Sequence, residues 1–477
     1  MNLADAIVFY IKMKHFTERR VMQVTVYRSD AVEQKLCRSE EYDMLFMDTD
    51  VCETYGHPED IEANIINIHD DIEYQTVLGI GGAFSDSAAN AWKSMPENMQ
   101  DRLIEAYFDR AKGIGYNFGR LSIASCDFST EDYTYVDESD ETLDTFDISH
   151  DKKAVFPMVK AAKRYADLLL LASPWSPPVY MKTNDTREYG GHLKKEYYPL
   201  WAKYFAKYIA ACRSEGIDIW GVTVQNEPRH TQMWESCLYS PEEEIEFLGY
   251  LGKELSGMDV KILCYDHCRE RVYERAKKIC ESENGKYCDG IAHHWYSGDH
   301  FGELKAFYER YPEKYNVASE GCCAIVGEGI KQEKNLEFAE RYAHDILGCF
   351  KNGLSVYCDW NITLDEKNGP YHNRTGRGCS AEAPVYCNKQ TGELVFRDSY
   401  YYIGHISKFV KRGAKVINSS SYTESLDYCA FKNPDREIVL PVMNRKDRGF
   451  NLIVRLNGHI YKTNIPAHSI ATFIINK

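Results

Sequence analysis

The chain predicts an α/β protein, a (β/α)8 TIM barrel with an accessory all-β sandwich built from its N- and C-terminal segments. Three observations carry this reading. From residue 79 onward, short apolar runs alternate eight times with helix-period segments. Both flanks alternate apolar with polar residues in strand style instead. Two glutamates, in Thr223-Val224-Gln225-Asn226-Glu227-Pro228 and Ala318-Ser319-Glu320-Gly321, each lie just past a run that reads as a buried parallel strand.

The candidate barrel strands, in order, are Gly79–Ser85, Asn117–Ile123, Leu168–Ser173, Ile219–Val224, Val260–Cys264, Gly290–His294, Asn316–Ser319 and Ser355–Asp359. Between them, Leu200–Arg213 places Trp201, Phe205, Ile209 and Cys212 at helical spacings of three and four. Glu242–Leu255, Arg269–Glu281, Leu336–Phe350 and Tyr400–Lys411 repeat that pattern. Gly113, Gly216, Gly257 and Gly353 punctuate helix ends. Asp86 reads as a helix N-cap before Ala88. Repeated βα units give a parallel sheet, and eight of them close it, so polar residues at C-terminal strand ends carry particular weight. Residues 76–414 are assigned to the barrel. Residues 1–75 and 415–477 are assigned to the sandwich, on runs such as Ile438-Val439-Leu440-Pro441-Val442 and the turn signal Asn457-Gly458.

Composition bounds the function. A length of 477 residues accommodates a barrel, which takes about 250 residues, plus one smaller unit. The formal charge of −15 repels phosphate backbones and anionic surfaces, which argues against nucleic acid as a partner. The first residues contain Asp5 before an apolar run and no small-residue cleavage site, and read as a strand rather than a secretion signal. No run approaches the ~18 apolar residues of a membrane span. A soluble, cytoplasmic protein without stable membrane insertion is therefore expected, and nothing in the sequence fixes an oligomeric state. Many of the 16 cysteines, including Cys212, Cys264, Cys358 and Cys429, sit in apolar segments and read as free thiols. Cys264 and Cys268, with His267 between them, approach a metal spacing, but no second pair completes a zinc site. No metal is expected.

Two carboxylates on separate strand ends of one closed sheet can face each other across a sugar. Cleavage of an acetal by double displacement needs one to attack the anomeric carbon and one to protonate the departing oxygen, roughly 5–5.5 Å apart. Such a reaction uses carboxylates and water and calls for no cofactor.

The motifs Gly79-Ile80-Gly81-Gly82-Ala83-Phe84-Ser85-Asp86, Gly113-Ile114-Gly115-Tyr116-Asn117 with Arg120, Ser125-Cys126-Asp127-Phe128-Ser129 and Ala172-Ser173-Pro174-Trp175 come first. With both glutamate strings, His294-Trp295-Tyr296 and Asp359-Trp360-Asn361, they closely resemble glycoside hydrolase family 30 over roughly residues 70–477. That resemblance implies a retaining β-glycosidase of the glucosylceramidase, β-glucosidase and β-1,6-glucanase type, acting on a β-glucoside or oligosaccharide. It implies Glu227 as general acid/base, with Asn226 reaching the sugar 2-hydroxyl, and Glu320 as nucleophile. Arg120, on a neighbouring strand, is the cation expected to keep Glu320 ionised. Asp127, Trp175 and Trp360 match the set that grips the terminal sugar, while His294 and Tyr296 would line the floor, Tyr296 bonded to the nucleophile. Where the family places a sugar-touching asparagine after Gly369-Pro370, the segment here is altered in length, and Asn373 is the match.

Other readings fare worse. The glycines at 79, 81 and 82 break the GxGxxG register at Phe84 and no GK[ST] follows; no Gly-x-Ser-x-Gly elbow exists. A sugar-binding barrel without activity would have lost a carboxylate. Within the enzyme reading, terminal β-glucosyl units are the expected substrate, with endo-acting β-1,6-glucanase or xylan-active hydrolysis as the alternative.

Overall fold

The computed structural model describes residues 22–30, 35–46, 64–325, 329–372, 380–422 and 424–476. The expected strand at the very start of the chain lies outside these residues. By internal contacts the described chain divides into two units, one spanning Tyr74–Val416 and the other joining residues up to Glu73 with those from Ile417 onward.

In the larger unit, strands β1 (Gly79–Ala83), β2 (Phe118–Ile123), β3 (Leu169–Pro174) and β4 (Gly221–Thr223) are followed by β5 (Lys261–Cys268), β6 (Gly290–His294), β7 (Tyr315–Glu320) and β8 (Val356–Asp359). They close a barrel in sequence order, every neighbouring pair parallel. Phe118, Leu171, Leu263, Ala292, Val317, Val356 and Cys358 point inward from six of these strands and pack as one buried cluster. The barrel is therefore a filled core whose rim is available for chemistry. Gly81 is required by closure: a Cβ there would stand 1.8 Å from the carbonyl oxygen of Phe118 on the adjoining strand.

The helices fall where the 3.6-residue period placed them, at Tyr198–Ser214, Pro241–Glu254, Val272–Cys280, Asn335–Lys351 and Asp398–Ser407. Trp201, Phe205, Ile209 and Cys212 form the buried face of the first of these. Gly216, Gly257 and Gly353 all adopt left-handed backbone, at φ of 76°, 86° and 97°. Gly113 differs: its left-handed neighbour is Gly115 (φ 68°), and Gly113 is small because a Cβ would meet the Ala106 carbonyl oxygen at 2.0 Å. The cap before Ala88 also sits one residue earlier than expected, on Ser85, whose Oγ accepts from Ala88 N at 3.1 Å. Asp86 instead opens the helix and accepts from Thr130 N (2.8 Å) and Oγ1 (2.6 Å).

The smaller unit is an antiparallel-rich sheet system, and both chain ends build it. Gln23–Ser29 lies between Cys37–Asp43 and Ser469–Asn476, and Ile438–Asn444 pairs with the other edge of Ser469–Asn476. Phe450–Leu456 pairs antiparallel with His459–Ile465 and parallel with Ile65–Thr76. The two-residue turn between the former pair has Asn457 at φ 49° and Gly458 at φ 75°, the left-handed pair that matches strand twist. Its core gathers alternate residues: Val24, Val26, Ile66, Ile68, Leu440, Val442, Leu452, Val454, Phe473 and Ile475.

No helix among the described residues is long and apolar enough to cross a membrane. All described cysteines are free thiols.

Candidate active site

The glutamates reach one place from different strands. Beyond β4 the chain is pinned to both neighbours: Asn226 N donates to the Pro174 carbonyl (2.9 Å) and Glu227 N to the Asp266 carbonyl (2.9 Å). Glu227 itself takes a left-handed φ of 46°, a conformation that costs a non-glycine residue energy and is tolerated where surrounding contacts impose it. Glu320 is the last residue of β7. A carboxylate oxygen of Glu227, a ring nitrogen of His294 and a carboxylate oxygen of Glu320 all lie within 4.8 Å of one another.

Arg120, fully buried on β2, ties the rim together. Its Nη1 donates to Glu320 Oε2 (2.5 Å), its Nη2 to Asn226 Oδ1 (2.9 Å) and Asp266 Oδ2 (2.8 Å), and its Nε to Ser173 Oγ (3.1 Å). Because Asn226 accepts through Oδ1, its amide NH2 is the end of the side chain left to donate.

Asp266 was not singled out by sequence reasoning. It is fully buried and accepts from Thr223 Oγ1 (2.6 Å) and Ser319 Oγ (2.5 Å) as well as from Arg120, and its Oδ1 lies 3.0 Å from His294 Nε2. Burial works against its charge, but Arg120 and His294 outweigh burial and hold it below the usual carboxylate range. The strand carrying it runs to Cys268, four residues past the expected end, through a register irregularity between Ala292 and His293 of the partner strand. Tyr265 and Asp266 both adopt positive φ there, 74° and 46°. The rule that polar strand-end residues matter was the signal that could have found it.

His294 bridges the two acids: besides Nε2 to Asp266, its Nδ1 lies 3.3 Å from Glu227 Oε1 and 3.8 Å from Glu320 Oε1. Burial disfavours its charge, yet Glu320, Asp266 and Glu227 lift it to about 10, which favours the doubly protonated ring. Burial likewise pushes Glu227 up, and the contacts from His230 (3.4 Å) and His294 overcome it, keeping Glu227 well below the usual range. Glu227, the acid/base that the sequence leads one to expect, thus faces a histidine with which it can share a proton across 3.3 Å. Tyr296 donates its hydroxyl to Glu320 Oε1 (2.9 Å) and touches Cys322 Sγ (3.3 Å).

Asp127 is half-buried, and its Oδ1 is buried with no hydrogen-bond partner among the described residues. Burial, then Glu320, Glu235 and Glu227, raise it well above the usual carboxylate range. An unsatisfied buried carboxyl of this kind suits hydroxyl-bearing ligands. Trp175 and Trp360 stack at 5.2 Å with ring planes 23° apart, and the Arg120 guanidinium lies 4.9 Å and 5.5 Å from their ring centres. Both indoles belong to a buried cluster with Cys126, Phe128 and Cys322, and Trp234 packs on its edge. Glu235, next in sequence and also missed, is buried and ion-paired with His372 at 3.2 Å. Asn373 lies outside the described residues.

Asp266→Asn should expose how much of this arrangement one buried charge maintains. Arg120 and His294 would lose a charged partner while staying buried, a change that costs ~3–5 kcal/mol. Denaturant unfolding should show that loss together with reduced turnover; a variant within about 1 kcal/mol of wild type would mean that Asp266 is not what holds the pair.

A parallel barrel whose rim presents two close carboxylates, one clamped by arginine and the other by histidine, is the apparatus of a retaining glycoside hydrolase. Comparison with known proteins makes the class specific. The model of the glycosyl hydrolase family 30 TIM-barrel domain matches residues 77–410, and that of the family 30 beta sandwich domain matches residues 413–473. The mouse lysosomal acid glucosylceramidase is 30% identical over 435 residues, covering 86% of this chain and 83% of that protein. The crystal structure of SrfJ from Salmonella typhimurium superposes with a TM-score of 0.88 at 33% identity, covering 95% of this chain and 99% of the other. The endo-β1,6-glucanase BT3312 gives a TM-score of 0.83 at 26% identity, with 94% and 99% covered. The chain belongs to glycosyl hydrolase family 30, and it is a retaining glycosidase.

Proposed function

We propose that the protein hydrolyses terminal β-D-glucosyl linkages by double displacement, with Glu320 as nucleophile and Glu227 as proton carrier. The observation carrying this reading is the approach of Glu227 and Glu320 oxygens to within 4.8 Å, with Arg120 on Glu320 and His294 on Glu227. Asn226, held by Arg120, presents its amide NH2 for the sugar 2-hydroxyl. Asp127 accepts from the remaining hydroxyls of the glycone, against the indoles of Trp175 and Trp360.

The proton follows the charge. Glu320 attacks the anomeric carbon, the bond to the aglycone oxygen breaks, and Glu320 becomes an uncharged ester. Among the charges that hold the proton on His294, that of Glu320 is the largest. Its loss lowers the histidine's affinity for the proton as the departing oxygen needs one, so the proton passes from His294 Nδ1 to Glu227 and on to the aglycone. Water then attacks the ester on the opposite face, giving its proton to Glu227, and the returning Glu320 charge draws that proton back to His294. Protons and charges balance over the cycle.

Similarity to an endo-β1,6-glucanase across almost the whole chain supports a second reading, endo-acting hydrolysis. Aryl β-glucoside, xyloside, fucoside and galactoside, followed by NMR of the product anomers, test the first. Release of β-glucose before mutarotation is the expected result. Intact aryl glycosides with cleavage of β-1,6-glucan or xylan would transfer the reading to the endo class.

A further inference from the structure

We propose that Glu227, His230 and His267 form a binding site for one divalent transition-metal ion of the Zn²⁺ class, at the lip of the catalytic pocket. Their ligand atoms all lie within 4.8 Å of one another. Glu227 Oε2 and His230 Nδ1 are 3.4 Å apart, close to the edge of a tetrahedron built on Zn–N and Zn–O bonds of ~2.0–2.2 Å. The rings of His230 and His267 meet edge to face at 4.4 Å. Two histidines and one glutamate are a recurring zinc ligand set that leaves one position open.

A second observation points to a ligand. His267 is 1% exposed, and its Nδ1 is buried without a hydrogen-bond partner among the described residues. Buried ring nitrogens are normally satisfied. His230, by contrast, is half exposed, with 46% of its side chain accessible, which gives an ion a way in. Arg229, a cation whose field reaches His267, is engaged by Tyr265 OH (3.2 Å) and Glu270 (2.8 Å). Gln232 Nε2 also approaches Glu227 Oε2 (3.3 Å) and would yield its place to the ion. Imidazole donors favour Zn²⁺, Cu²⁺ and Ni²⁺ over Mg²⁺ and Ca²⁺.

Occupancy would take Glu227 Oε2 out of proton transfer, so the metal should act as a reversible inhibitor. The inhibition, unlike the binding, rests on the proton-carrying role given to Glu227 above. Chelator-treated full-length protein titrated with Zn²⁺ by calorimetry should bind one ion per chain, ignore Mg²⁺, and lose hydrolysis in parallel, with EDTA restoring it. His230→Gln, at an exposed position, and His267→Gln should each weaken binding by roughly the 10–100-fold seen when even outer partners of a metal ligand are removed. Unchanged affinity in both variants, or no binding to wild type, overturns the site. Binding that the variants abolish, with hydrolysis indifferent to Zn²⁺, supports the site and overturns the role of Glu227.

Discussion

Glu320→Ala is expected to lower hydrolysis of any β-glycoside substrate by about 10⁵-fold or more, the scale on which removal of a covalent nucleophile acts. The variant should still fold. Arg120 keeps Asp266 at 2.8 Å and Asn226 at 2.9 Å when Glu320 is gone, so the guanidinium is not left without a counter-charge. Circular dichroism melting close to wild type would therefore accompany the loss of turnover. The emptied space lies on the face from which Glu320 attacks. Millimolar azide should enter it and displace an activated β-glucosyl aryl ether directly, giving an α-glucosyl azide. Turnover within tenfold of wild type, or recovery of a β-azide, would remove Glu320 from the nucleophile's role.

Glu320 and Glu227 are legible in the sequence because a pattern with a physical cause displays them. Strands in a closed barrel are buried on both faces, so Ile219–Val224 and Asn316–Ser319 read as apolar runs, and a polar residue at their C-terminal ends stands out. Arg120 was legible for the same reason: a lone cation inside Asn117–Ile123 has to find an acid. Asp266 was harder to read. It follows a strand that was expected to end at Cys264, and it points into the site only because Tyr265 and Asp266 take left-handed conformations that shift the register against β6. Alternation gives no hint of such a bulge, since the energy that stabilises it comes from Arg120, Thr223, Ser319 and His294, all distant in sequence. The sandwich shows the same division. Its strands follow from period-2 patterning and the Asn457-Gly458 turn, whereas the pairing of Gln23–Ser29 with Ser469–Asn476 brings together the two ends of the chain, and no local rule encodes it.

Glu227→Ala should separate the two halves of the cycle. General acid–base assistance contributes about 10²–10⁴-fold, and that loss should fall fully on alkyl β-glucosides, whose departing oxygen cannot leave without a proton. A dinitrophenyl β-glucoside has a leaving group stable as an anion, so ester formation on Glu320 should proceed at nearly the wild-type rate. The following step then lacks a base to activate water. A rapid burst of dinitrophenol equal to the enzyme concentration, followed by slow turnover, is the expected trace. Azide needs no base, and it should accelerate the slow phase while attacking the face opposite Glu320, so the product here is the β-azide. The contrast with the α-azide of Glu320→Ala is the informative comparison, because it assigns each carboxylate to one face of the sugar ring. His294 shapes the size of the effect. With Glu227 gone, its Nδ1 loses the acceptor at 3.3 Å while its Nε2 keeps Asp266 at 3.0 Å, and a histidine able to protonate the aglycone oxygen directly would hold the loss on alkyl glucosides near the lower end of that range. Glu227→Ala combined with His294→Ala would then fall further on alkyl substrates, with the dinitrophenyl burst unchanged. Equal losses on both substrate types in the single variant would show that Glu227 positions the sugar and carries no proton.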